Sequence, residues 1–265
     1  MHARGFAAID YFPTLGRVFF GLAIAAFGVQ NFIYADGVFG LEPIPGWVPV
    51  KASWAYLSGL LLLGSGAAVS AGTYTRPAAT VIGGVLSVWL FGLQVPRLLL
   101  APQSGGAWTT TFETLALCGA AWVIAGDCSS QSPSAKYGRL AYAVSLPVFG
   151  VLHFVYRGYV ASVIPTWIPA PDAWALITGA AFIVAGGSML SGLYERLAAT
   201  MVGVMFAIWV VILHAPRAAA ASPGRSEWTS LIIALAMSGG ALIIARAQES
   251  LVLQREPARS VVHSR

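Results

Sequence analysis

The sequence predicts an all-α integral membrane protein of eight transmembrane helices, arranged as two four-helix bundles related by a pseudo-two-fold axis along the membrane normal. Three observations lead there. Of 265 residues, 57% are hydrophobic and 9% charged, and the mean hydropathy is +0.75; ordinary soluble domains carry about 25% charged residues. Runs of spanning length occur at 18–35, 54–75, 77–96, 108–126, 140–156, 173–194, 197–216 and 228–245, each near the roughly 20 apolar residues that cross a bilayer core as a helix. The third observation is internal repetition. Sliding residues 45–126 forward by 120 positions gives 27 identities in 82, among them Trp47/Trp167, Trp54/Trp174, Gly72/Gly192, Arg76/Arg196, Pro96/Pro216, Arg97/Arg217 and Trp108/Trp228.

The first run matches at an offset of 122, aligning Arg17 with Arg139 and Asn31-Phe32 with His153-Phe154, so the loop after Tyr34 holds two residues more than its counterpart. This internal echo, and the lack of a convincing cleavage site, argue against a removable signal peptide. Each repeat holds an even number of helices and would enter and leave on one side, which places the symmetry axis along the membrane normal. The expected organisation is a first unit over 1–126, a connector over 127–138, a second unit over 139–246 and a basic, loosely ordered tail over 247–265.

The loop after the first helix of each unit frames a tryptophan with prolines, Pro45-Gly-Trp-Val-Pro49 and Pro165-Thr-Trp-Ile-Pro169. Such a segment suits an anchor at headgroup level or a lid over a pocket. The second and third helices meet at tight turns near 72–77 and 192–196. Small residues in "GLLLLGSG" and "AGGSMLSG" suit close helix packing. The third helices end in "GLQVPR" and "ILHAPR", where Pro96 and Pro216 stop or kink the helix. Trp89 and Trp209 read as packing residues. The fourth helix opens with Thr110-Thr-Phe-Glu113, a capping-box spacing, with an ion pair to Arg97 as the competing role for Glu113.

Basic residues favour one face. The N-terminus, the two tight turns, the connector and the tail collect ten of the fifteen Lys and Arg, so both termini are expected in the cytoplasm. That bias accounts for the net charge of +5 without a nucleic-acid partner. The polar residues within the spans gather at the opposite ends of the helices. They are Asn31, Gln94, Arg97 and Glu113 in the first unit and His153, Arg157, His214 and Arg217 in the second, with Tyr34 and Tyr156 beside them. Ionisable groups at membrane depth are costly and mark functional sites. Against that, the arginines can serve simply as headgroup anchors.

Within the spans only the second unit carries imidazoles, because Asn31 and Gln94 stand where it has His153 and His214. Two histidines from different helices could ligate a haem, but no Cys or paired carboxylate completes a metal set, so haem is disfavoured and no metal site is expected. Hydrogen-bonding members of a polar pocket and satisfied structural histidines are the readings that remain. The cysteines, Cys118 and Cys128, form no C-x-x-C pair.

The turn Gly72-Thr-Tyr-Thr-Arg76-Pro-Ala-Ala, its echo Gly192-Leu-Tyr-Glu-Arg196-Leu-Ala-Ala, and the unit endings "AWTTTFETLALCGAAWVIA" and "EWTSLIIALAMSGGALIIA" resemble the DoxX family of small bacterial membrane proteins, here in tandem. The resemblance covers about residues 15–246. It implies four-helix membrane subunits and an association with respiratory or sulfur redox chemistry, including quinone-linked thiosulfate oxidation. Relatives often carry an acidic residue in the second helix; "WAYLSGLLLLGSG" and "WALITGAAFIVAG" carry none, and no catalytic set carries over.

The expected function is a bacterial inner-membrane accessory or ligand-binding subunit of membrane redox metabolism, taking a quinone-like or lipid-like molecule. The expected ligand-binding set is His153, Tyr156, Arg157, His214, Arg217, Trp167, Asn31, Gln94 and Arg97, with membrane lipids and a redox protein as partners. The alternatives are a non-catalytic scaffold or assembly partner and, less favoured, a transporter.

Overall fold

The computed structural model describes residues 11–126, 132–220 and 224–262, and among them there is no strand. The long helices are α1 (Tyr11–Tyr34), α2 (Lys51–Ala71), α3 (Thr75–Leu100), α4 (Gly105–Ala125), α5 (Pro133–Val155), α7 (Pro171–Ser191), α8 (Glu195–Ala220) and α9 (Arg225–Val262), with a short α6 (Arg157–Val163) after α5. Among the described residues, seven helices are long and apolar enough to cross a membrane, the make-up of a multi-pass membrane protein. α4 has the length, but Thr109, Thr110, Thr111, Glu113 and Thr114 lower its hydropathy.

Helix α1 packs between α2 and α9, α4 between α3 and α5, and α7 between α5 and α8; α9 also packs on α8 and, across the middle, on α4. Lipid tails are as apolar as leucine, so burying apolar surface gains little here and close backbone approach holds the helices together. The glycines permit it. A Cβ on Gly28 of α1 would stand 2.5 Å from the Gly59 carbonyl oxygen of α2, and one on Gly150 of α5 would stand 2.6 Å from that of Gly179 on α7. At α4 and α5 a Cβ on Gly119 would come within 2.4 Å of the Gly138 carbonyl oxygen. In the two expected glycine-rich stretches the role is divided: Gly66 and Gly186 face neighbouring helices, whereas Gly64 and Gly187 face open space.

Both tight turns use the same device. Gly72 and Gly192 close α2 and α7 at φ 77° and 73°, in the left-handed region where a side chain would be strained. Tyr74 and Tyr194 follow at φ 48° and 56°.

Four expectations change. Pro96 and Pro216 do not stop their helices. Each is preceded by a π-helical turn, Leu90–Gln94 and Val210–His214, in which Val95 N–H donates to Leu90 O and Ala215 N–H to Val210 O. The wider turn lets the chain pass a residue that has no N–H and would crowd the carbonyl four positions back. Second, α4 begins at Gly105 with Ser104 as its cap, the Ser104 Oγ accepting from Ala107 N–H at 3.2 Å. Glu113 lies more than two turns further on and is no capping residue. Third, the backbone of α9 continues to Val262 where a loose tail was expected, as its many good helix formers allow. Fourth, Trp209 is not simply packed away like Trp89, which is buried; it stands in a cavity wall. Cys118 is a buried free thiol, and Cys128 lies outside the described residues.

Candidate functional site

A cavity of about 600 Å³ opens among α4, α5, α6, α7, α8 and the start of α9. It lies toward the ends of the helices that carry the loops 35–50 and 101–104. Phe149, Phe182, Phe206 and Trp209 form its apolar wall, with ring centroids 5.4 to 5.7 Å apart within the Phe182, Phe206 and Trp209 trio. Its polar groups are His153 and Tyr156 at the end of α5, His214 on the π turn of α8, Glu113 on α4, and hydroxyls near the start of α9.

Each polar group is placed by local geometry. His153 Nδ1 lies 2.8 Å from the Phe149 carbonyl oxygen. A carbonyl can only accept, so Nδ1 carries the proton and the neutral ring keeps Nε2 as a bare acceptor. The ring lies edge-on to Phe182 at 5.3 Å and stacks on Trp209 at 6.2 Å. Tyr156 packs on Gly105, where a Cβ would fall 2.4 Å from the phenol ring, and its hydroxyl donates to Gln103 O at 3.4 Å. Phe39 and Gly40, from the long loop of the first unit, complete the wall.

The homologous place in the first unit is filled with protein. Asn31, the counterpart of His153, is fully buried, and its Nδ2 donates to Glu42 Oε2 at 2.9 Å, Ser58 Oγ at 2.9 Å and Ala55 O at 3.2 Å. Glu42 also accepts from Ser58 Oγ at 2.8 Å and Val38 N–H at 3.3 Å. Burial pushes the Glu42 carboxyl up to about 7 from the ordinary 4.5, against those hydrogen bonds, which pull it down. Gln94, the counterpart of His214, is likewise fully buried; its Nε2 donates to the Gly40 and Leu41 carbonyls, and its Oε1 accepts from Thr110 Oγ1 at 3.0 Å. Val38 and Leu41 ride into the core on this clamp. Asn31 and Gln94 therefore bind the chain's own loop.

Of the expected ligand-binding residues, the structure brings His153, Tyr156 and His214 to the cavity. The others lie elsewhere. Arg157 Nε is 3.0 Å from Asp172 Oδ1, and Arg217 Nη2 is 4.0 Å from Glu227 Oε1. Arg97 is exposed and Trp167 is 71% exposed, and neither lines the cavity. The cover is made instead by Phe39, Tyr159 and Val160.

Sequence reasoning missed Glu42, Ser58 and the tie from Arg225 to Asp36, whose Nη1 and Oδ2 are 3.0 Å apart while the guanidinium lies 4.8 Å over the Tyr34 ring. A signal existed for Glu42: it is a lone carboxylate in the otherwise apolar stretch "GLEPIPGW". Among the described residues no group of three or more His, Cys, Asp or Glu is placed to hold a metal.

Residues 142–247 match a family described as a domain of unknown function, DUF8561, and the match spans the second unit with both histidines. No curated protein and no solved structure matches the chain.

Proposed function

We propose that this chain is a tandem DoxX-like protein of the bacterial inner membrane that holds a small amphipathic molecule, quinone-like or lipid-like, in the second unit, as an accessory subunit of membrane redox metabolism. In this reading all eight long helices span the membrane, as two four-helix units related by an axis along its normal. The helix neighbours support that arrangement: α1 on α2 corresponds to α5 on α7, α4 on α5 corresponds to α9 on α1, and α4 and α9 meet each other. The charge bias places both termini in the cytoplasm and the cavity toward the outer leaflet.

One observation carries the ligand-binding role. The first unit fills its interior with Val38, Leu41 and Glu42, while the second leaves a cavity of about 600 Å³ walled by aromatic rings and two histidines. That volume lies in the range of small-molecule sites, which combine apolar walls with a few placed polar groups. His153 Nε2 and His214 would contact the polar head and the phenylalanines the apolar body.

The test is mass spectrometry of lipid extracts from protein purified in mild detergent. A quinone or a defined lipid retained near one per chain, and lost in His153→Ala or His214→Ala protein that still folds, is the expected result. Extracts matching bulk membrane lipid in both wild type and variants would refute the proposal.

A further inference from the structure

The charge and hydrogen-bond balance of the cavity specifies the ligand more narrowly, on the reading that the cavity is a ligand site. Glu113 is the only acidic residue in its wall, and no Lys or Arg lines it. Glu113 comes from the first unit, and its counterpart on α9, Ile233, lines the same cavity. Among the described residues, neither a hydrogen bond nor an ion pair reaches this carboxylate. A carboxylate facing an apolar space without a partner is costly and is relieved by taking up a proton; a cationic ligand would displace that proton to solvent and offset the cost of the charge in its place.

Four of the neighbouring groups, His153, Thr109, Ser226 and Thr229, add acceptors, while His214, Tyr159 and Ser230 line the cavity as well. The Nδ1 proton of His153 is used on Phe149 O. The Thr109 hydroxyl donates to Gly105 O at 2.9 Å, the Ser226 hydroxyl to Glu227 Oε2 at 2.7 Å, and the Thr229 hydroxyl to Arg225 O at 2.9 Å or Gln30 Oε1 at 3.1 Å. Each hydroxyl has a single proton, so these groups turn lone pairs toward the cavity. Phe182, Phe206 and Trp209 line the same cavity, and aromatic rings attract cations.

We propose that the cavity binds a hydrophobic organic cation, a lipophilic amine or quaternary ammonium, with the charge beside Glu113 and the apolar body against Phe182, Phe206 and Trp209. The first unit thus supplies the charge and the second the aromatic cage.

The experiment measures binding of radiolabelled tetraphenylphosphonium, a hydrophobic cation without N–H groups, to the full chain in lipid nanodiscs, beside its uncharged analogue tetraphenylmethane. Wild type is expected to bind the cation saturably and in preference to the neutral analogue. Glu113→Gln should weaken that binding at least about tenfold, the scale of losing one desolvated charge partner, with an unchanged thermal transition. Trp209→Leu should weaken it as well. Binding of the cation unchanged in Glu113→Gln would overturn the proposal, as would equal binding of the neutral analogue. If the cation does not bind but a neutral quinone or lipid is still extracted with the protein, this inference falls and the ligand-binding role stands. If neither binds, both fall.

Discussion

Replacing Glu42 with alanine tests whether the loop of the first unit is a plug held by a buried polar cluster. The carboxylate accepts from Asn31 Nδ2, Ser58 Oγ and Val38 N–H. Ser58 has fallback acceptors in the Trp54 and Ala55 carbonyls, both at 3.1 Å, and Asn31 keeps Ala55 O. Asn31 also keeps Ser58 Oγ at 2.9 Å, so one buried donor, the Val38 N–H, is left short. An orphaned buried donor costs about 1–3 kcal/mol, and the emptied space adds to that while removing a carboxylate that burial disfavours returns part of it, so a net loss of about 1–3 kcal/mol is expected. For a chain of this size that lowers the thermal midpoint by roughly 3–8 °C, readable in detergent from intrinsic tryptophan fluorescence. Glu42→Gln keeps one acceptor and should lose about half as much. A midpoint for Glu42→Ala within about 1 °C of wild type would show that the cluster does not hold the loop.

Three further outcomes follow from the same geometry. Because the folded-state value for Glu42 is about 7 rather than 4.5, the folded chain keeps a proton that the unfolded chain releases over that window. The contribution of this group to stability should be full below about pH 4.5 and be lost as pH rises through 7, by up to ~3 kcal/mol at ~1.4 kcal/mol per pH unit; comparing melting at pH 5 and pH 8, Glu42→Gln should lack this component. Gln94→Ala frees the Gly40 and Leu41 carbonyls, so hydrogen exchange at the Leu41 and Glu42 amides should speed up about tenfold, and unchanged protection would refute the clamp. Gly119→Val must push α4 from α5, since a Cβ would meet the Gly138 carbonyl oxygen at 2.4 Å, and should cost about 3 kcal/mol or prevent folding; Gly64→Val, with nothing within 4 Å, should be close to neutral.

Much of the fold is written in local pattern. Hydropathy and the 120-residue repeat marked every long helix, because both the length of a span and the duplication are properties of consecutive residues. The caps were less legible: Ser104 outcompetes Thr110 because Gly105 and Gly106 add a further turn to α4, and no periodicity announces that turn. The passage of α3 and α8 through Pro96 and Pro216 depends on π turns, which the residue types alone do not distinguish from helix ends.

At the site, the sequence by itself determined that the two units differ chemically, with His153 and His214 against Asn31 and Gln94, and that the difference sits at one end of the helices. Tertiary structure decided what that difference means. Only packing could show Glu42 reaching Asn31 across eleven positions and filling the first unit, Glu113 crossing from the first unit into the cavity of the second, and Arg157 and Arg217 turned toward Asp172 and Glu227. The physical reason is that a side chain's cost at membrane depth depends on its partner, and these partners come from other helices and from loops whose course is set by contacts distant in the chain.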